Sequence, residues 1–100
     1  PVTHVWGLVG GAYNNWGATA DAQFKRDWSK PFNDVWILEN VTLIDGEYKF
    51  RSNNDWGTNY GDDGADGILE LNGSNLVTTA GTYSFSLDFS DPNAPTYTKN

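Results

Sequence analysis

Two tryptophans in loops of glycine and asparagine are the residues of this chain that best support a specific chemistry. Trp16 lies within residues 11–17 and Trp56 within residues 53–61, and both segments are rich in Asn and Gly. Such loops are normally polar, because these residues hydrogen-bond their own backbone or accept positive φ. One face of a sugar ring exposes C–H groups of partial positive charge, whereas the face of an indole is negative. The pattern therefore indicates stacking of sugar rings on Trp16 and Trp56.

The strand that precedes Trp56 supplies candidate hydrogen-bond donors. Its aromatic residues alternate with Lys49 and Arg51, so one face of the strand is aromatic and the other is cationic. Ring hydroxyls need donors and acceptors, which Lys49, Arg51 and the amide of Asn53 could provide. We therefore expect the cationic face to be the ligand face, and Phe50 to point into the core.

Other chemistries have weaker support. Asp62, Asp63 and Asp66 could bind calcium through carboxylates and backbone carbonyls, but they lack the spacing of an EF-hand loop and its bidentate Glu, so a solvated turn is the alternative. His4 is the single histidine, and we expect it to be a surface residue of a strand. No serine elbow accompanies it, and most carboxylates lie in turns, so we predict that the protein is not an enzyme.

Composition narrows the classes of function. The chain has 100 residues, which fit one domain spanning 1–100, and a formal net charge of −7 argues against nucleic-acid binding. Cysteine is absent, which excludes disulfides and thiolate metal sites. No apolar run approaches the roughly 18 residues of a membrane span, and no signal peptide is visible. Because the chain starts abruptly, we expect a mature product or a domain of a longer protein.

Short segments with β-branched or aromatic residues and Gly or Pro punctuation predict an all-β antiparallel sandwich or small barrel. The Asp45-Gly46 pair predicts a hairpin between the second and third strands. Between the first two strands, the spacing of Phe24 and Trp28 favours a short helical turn that buries both rings. About seven strands are expected, at residues 2–10, 33–44 (with a bulge), 47–51, 68–71, 75–78, 82–89 and 96–98.

Several segments together resemble the repeated glycan-binding domains of SusE and SusF, the surface lipoproteins of the Bacteroidetes starch-utilisation system. Their order and spacing over about 80 residues make the match specific, although each is weak alone. The matching segments are 8–11 (LVGG), 15–16 (NW), 45–51 (DGEYKFR), 54–61 (NDWGTNYG), 71–76 (LNGSNL) and 81–88 (GTYSFSLD).

The resemblance implies an immunoglobulin-like β-sandwich that binds starch or another α-glucan without cleaving it and without a cofactor. By that similarity, Trp16 and Trp56 cradle the glucan and Lys49 or Arg51 bonds its hydroxyls, with Lys49 favoured by its Lys-Phe motif. It also implies a lipid-anchored outer-membrane or extracellular location and a possible transporter partner.

One departure leaves the ligand open. Residues 12–16 read AYNNW, where relatives usually carry Asp or Ala after the glycine and Gly before the tryptophan. Tyr13 could therefore add a third platform or reshape the site for a β-glucan or a mannan. A structural spacer of the same fold, without sugar affinity, is the other alternative.

Overall fold

The computed structural model describes residues 5–30, 34–91 and 93–100, so His4 and the proline after Lys30 lie outside the described residues. The described chain contains no helix and ten strands. These are β1 (Trp6–Val9), β2 (Ala22–Gln23), β3 (Lys25–Arg26), β4 (Val35–Leu43), β5 (Gly46–Ser52), β6 (Asn59–Gly61), β7 (Glu70–Leu71), β8 (Leu76–Thr78), β9 (Gly81–Asp88) and β10 (Thr96–Lys99).

Two antiparallel sheets form the sandwich that the sequence predicts, with ten strands rather than about seven. The first sheet has the order β2-β1-β5-β6-β7, with β8 also paired to β5, and the second has the order β10-β9-β4-β3. The predicted bulge is confirmed, because the register of β4 against β9 shifts between Leu38 and Val41. Asn40 in this interval has a φ of 55°, a left-handed conformation that asparagine tolerates.

The core lies between the sheets and is built from one face of each long strand. In β9, Phe85 and Leu87 are buried while their neighbours are not, as the alternation predicts. Phe50 is fully buried and makes edge-to-face contacts with the rings of Tyr48 and Phe85, at centroid distances of 5.8 and 6.0 Å. Each such side chain stabilises the fold by about 1.5–3 kcal/mol through burial.

The predicted helical turn around Phe24 and Trp28 is wrong, since the segment forms β2 and β3. Ala22 and Phe24 are buried while Gln23 and Lys25 are exposed, which is the alternation of a strand. The Phe24 amide donates to the Trp6 carbonyl, so β1 takes up the hydrogen bonds that a helix would have made internally. Trp28 is 69% exposed rather than buried.

The predicted Asp45-Gly46 hairpin is also wrong, because the turn carries the chain from one sheet to the other. β4 pairs with β3 and β9, whereas β5 pairs with β1, β6 and β8. The backbone of Ala12 inserts between the two strand ends: its carbonyl accepts from the Ile44 amide and its amide donates to the Glu47 carbonyl. These two hydrogen bonds replace those that would have closed a hairpin.

Strand β6 was not predicted, because its sequence continues the turn composition of the preceding loop. Tyr60 pairs with Phe50, and Asn59 pairs with Arg51. A glycine is required at position 61, where a Cβ atom would lie 2.1 Å from the Ser74 carbonyl oxygen. The strand therefore extends the first sheet directly beyond the loop that carries Trp56.

Candidate functional site

Both tryptophan-bearing loops cross the outer face of the first sheet, and we refer to residues 10–20 as the Trp16 loop and residues 53–58 as the Trp56 loop. Each contains two consecutive residues in the left-handed backbone region: Asn15 and Trp16 at φ of 51° and 62°, and Asn53 and Asn54 at φ of 58° and 53°. Asparagine tolerates this conformation, but a bulky residue such as Trp adopts it rarely. The backbone at Trp16 must therefore be held in place by its surroundings.

The indole rings of Trp16 and Trp56 lie side by side, with centroids 6.1 Å apart and planes inclined at 37°. Trp56 is 41% exposed and Trp16 is half-buried. The absence of a side chain at Gly11 makes room for Trp16, whose Nε1 would lie 3.3 Å from a Cβ atom there. The expectation that the two loops are neighbours is confirmed, whereas their role in binding stays a prediction.

Arg51 lies beneath this aromatic pair and is not a surface residue. Its guanidinium packs against the face of the Trp56 ring, with Cζ 4.7 Å from the ring centroid. Its Nε and Nη2 both donate to the carboxylate of Asp21, the latter at 2.9 Å. The side chains of Arg51 and Asp21 are only 7% and 1% exposed, so the ion pair is buried. The expected cationic face exists, but the loops cover it.

Asp21 connects the two loops through its remaining hydrogen bonds. Its carboxylate accepts from Asn14 Nδ2 at 2.9 Å, within the Trp16 loop. Its backbone amide donates to Asn54 Oδ1 at 2.9 Å, in the Trp56 loop. Gly7 of β1 leaves the space for it, since a Cβ atom there would lie 2.8 Å from the Asp21 Cβ. Asp21 is thus the point at which both loops and β5 meet.

Lys49 is buried on the same outer face and supports the far end of the Trp56 loop. Its Nζ donates to Asn59 Oδ1 at 2.6 Å, and Asn59 Nδ2 donates to the Trp56 carbonyl at 3.2 Å and to Asn72 Oδ1 at 3.0 Å. Burial lowers the pKa of Lys49, and the charge of Asp63 opposes that shift. The hydrogen bond to Asn59 uses one of the three N–H donors of the Lys49 ammonium.

The other two predicted ligand residues have different positions. Tyr13 is 42% exposed in the Trp16 loop, but no ring contact joins it to either tryptophan within the described part of the chain. Asn53 holds the start of β1: its side-chain oxygen accepts from the Val5 amide at 3.0 Å, and its own amide donates to the Val5 carbonyl. We therefore find Asn53 in a supporting position and Tyr13 exposed elsewhere in the Trp16 loop.

The acidic turn groups its carboxylates differently from the predicted calcium site of Asp62, Asp63 and Asp66. Asp62, Asp66 and Glu70 bring their oxygens within 4.8 Å of one another, whereas Asp63 accepts from the amide and hydroxyl of Ser74. Burial disfavours the ionised form of Asp62, but hydrogen bonds from the Gly67 and Asp66 amides and the Tyr97 hydroxyl outweigh it and lower its pKa. These bonds give Asp62 a structural role in the turn.

Sequence reasoning missed the residues that hold the loops together. Neither residue type nor spacing singles out Asp21, Asn14, Asn54 or Asn59. The available signal is the abundance of asparagine in and beside the two loops, because a buried asparagine must satisfy both its amide and its carbonyl group.

A search for helices able to cross a membrane finds none in the described residues. No family model matches this chain, and no curated protein matches it.

Proposed function

We propose that this protein binds carbohydrate without cleaving it, by stacking sugar rings on Trp16 and Trp56. The observation that carries the proposal is the aromatic pair itself: two indoles 6.1 Å apart on two neighbouring surface loops, one of them 41% exposed. An exposed aromatic pair gives sugar C–H faces an apolar and electrostatically matched surface. The acidic charge of the chain is compatible with a neutral ligand.

Ring hydroxyls would find partners around the pair. Among the described residues Lys49 makes one hydrogen bond, to Asn59, so its ammonium retains donor capacity. Arg51 already directs Nε and Nη2 to Asp21, which makes it the less suitable of the two predicted donors. Of the two predicted donors, Lys49 is therefore the one that keeps N–H groups for a ligand hydroxyl.

The inclination of the rings favours a curved glycan as the ligand. Planes at 37° suit successive sugar rings that are inclined to one another, as in a helical α-glucan, better than a flat β-linked ribbon. Starch or a malto-oligosaccharide is therefore our proposed ligand, with β-glucan and mannan as the alternatives. The proposal also includes a cell-surface or extracellular location and a transporter complex as a partner.

Affinity electrophoresis tests the proposal most directly. We expect amylopectin in the gel to retard the protein, and Trp16→Ala or Trp56→Ala to abolish the retardation. Trp28→Ala is the matched control, because Trp28 is a more exposed tryptophan away from the aromatic pair. Monovalent affinity should be weak, with a Kd on the order of 10⁻⁴–10⁻³ M, since an open site buries little area.

Three results would contradict the proposal in different ways. Unchanged mobility on amylopectin, laminarin and mannan alike would favour a structural spacer. Retardation on laminarin or mannan alone would mean that the ligand is that glycan and not an α-glucan. Release of reducing sugar by the pure protein would indicate a hydrolase. Thermal unfolding shows whether a variant loses binding because it is unfolded. Trp56→Ala should lower Tm only slightly, because the ring is largely outside the core.

A further inference from the structure

We infer that Asp21 is the positioning residue of the aromatic pair: it sets the angle and separation of Trp16 and Trp56 without contacting the ligand. Its effect on affinity rests on the proposed function, whereas its effect on ring geometry does not. Two independent links support the inference, one from the Asp21 carboxylate to the Trp16 loop and to Arg51, and one from the Asp21 amide to the Trp56 loop.

The carboxylate acts on Trp56 through Arg51. A guanidinium carries five N–H groups in a planar fork, and a carboxylate that accepts from two of them, here Nε and Nη2, fixes both the position and the plane of the fork. Because the Arg51 guanidinium lies 4.7 Å from the Trp56 ring centroid, its plane determines where the indole rests. Loss of the negative charge at Asp21 would release the guanidinium and the ring it supports.

The same carboxylate acts on Trp16 through Asn14. Asn14 Nδ2 donates to Asp21 and to the Thr19 carbonyl, and Asn14 Oδ1 accepts from the Gly10 amide. Asn14 is 5% exposed, so its amide has to be satisfied inside the protein. These bonds span the loop on both sides of Trp16 and hold its left-handed backbone, which a bulky residue otherwise avoids.

Ring geometry can be measured without any ligand, by incorporating 5-fluorotryptophan and recording ¹⁹F NMR spectra. The chain has five tryptophans, so five resonances are expected, and Trp→Phe variants assign them. In Asp21→Asn, which preserves shape and removes charge, the resonances of Trp16 and Trp56 should shift or broaden. Those of Trp6, Trp28 and Trp36 should stay, since a general loss of structure would move all of them.

A milder variant covers the case in which Asp21→Asn fails to fold. Asn54→Gly removes the acceptor of the Asp21 amide while keeping a residue that tolerates the φ of 53°. Asn40→Gly is its matched control, because Asn40 has a φ of 55° but lies in β4 of the other sheet. We expect Asn54→Gly to move the Trp56 resonance and Asn40→Gly to leave it unchanged.

Unchanged Trp16 and Trp56 resonances in folded Asp21→Asn would overturn the inference. If that variant is unfolded, an unchanged Trp56 resonance in Asn54→Gly would overturn it. For binding, we expect the Kd for maltoheptaose to rise about tenfold in Asp21→Asn. If the wild-type protein binds no glycan, the proposed function fails, but the ¹⁹F comparison still decides whether Asp21 positions the rings.

Discussion

The molecule contains two groups of one Trp, one Arg and one Asp that have the same composition but differ in how deeply the ion pair is buried. The inner trio is Trp56, Arg51 and Asp21, with side-chain exposures of 7% for the arginine and 1% for the aspartate. The outer trio is Trp28, Arg26 and Asp34, with exposures of 20% and 50% for its ion pair. The arginine lies over the indole in both, at 4.7 Å and 5.1 Å from the ring centroid.

The two ion pairs differ most in geometry. Arg51 makes two hydrogen bonds to Asp21, whereas the shortest approach of Arg26 Nη1 to Asp34 is 3.7 Å. In water an ion pair gains little, while inside a protein the same charges interact strongly and cannot be left unpaired. The comparison teaches that an arginine–tryptophan stack occurs with either kind of ion pair, and that burial of the carboxylate is what separates the inner trio from the outer one.

Removing the arginine from each trio should give the largest contrast. Arg51→Ala leaves the Asp21 carboxylate buried without its partner and should reduce the free energy of unfolding by about 3–5 kcal/mol. Loss of the ion pair in Arg26→Ala should cost only about 0–1 kcal/mol, because the Asp34 carboxylate is 50% exposed and keeps a hydrogen bond from Trp36 Nε1. Urea titration of both variants measures the contrast, and equal losses would show that burial does not distinguish the trios.

A second buried aspartate sharpens the comparison, since Asp62 is 4% exposed and no ion pair joins it to a cation in the part of the chain described. The Tyr97 hydroxyl donates to it at 3.0 Å, in place of an arginine. Tyr97→Phe should therefore reduce stability by about 1.5–3 kcal/mol at neutral pH, as expected for a hydrogen bond to a charged group.

This loss should depend on pH. Burial, together with the hydrogen bond to Asp62, raises the pKa of Tyr97 to about 12, from 10.0 in the unfolded chain. Between these values the unfolded chain releases the Tyr97 proton and the folded chain keeps it, so wild-type stability falls as pH rises. The difference between wild type and Tyr97→Phe should narrow from pH 10 to pH 12, and a constant difference would contradict the shift.

The smallest expected effect is that of salt on the coupling energies of the two ion pairs. The Debye length falls from about 10 Å at 0.1 M salt to about 3 Å at 1 M, and it screens exposed charges more than buried ones. A double-mutant cycle on Arg26 and Asp34 should give a coupling of about 0.2–1 kcal/mol that vanishes in 1 M NaCl. The coupling of Arg51 and Asp21 should persist, and its disappearance in salt would mean that water reaches the inner trio.

The parts of the fold that follow from local patterns could be predicted from the sequence. Alternation along β9 identified Phe85 and Leu87 as core residues, and Asn/Gly composition identified the two loops that carry Trp16 and Trp56. Both signals depend only on neighbouring residues. The side of the sheet that holds Lys49 and Arg51 was also evident, because side chains alternate along a strand.

Contacts between distant segments could not be predicted in the same way. Asp21 and Arg51 are thirty positions apart, and nothing in either neighbourhood indicates the partner. The Asp45-Gly46 turn failed as a hairpin signal because the backbone of Ala12, far back in the chain, took its hydrogen bonds. Phe24 and Trp28 misled through a spacing of four, which fits a helix, although alternation at Ala22 and Phe24 already fitted a strand.

The insertion of Ala12 between the ends of β4 and β5 has a consequence for the order of folding. Both its hydrogen bonds join segments more than thirty residues apart, and such contacts form only after the entropy of closing a long loop has been overcome. The Trp16 loop starts at this junction, so we expect it to dock only when both sheets are already in place. The side-by-side arrangement of the two indoles would then exist only in the finished sandwich, and a nascent or partly unfolded chain would lack that surface.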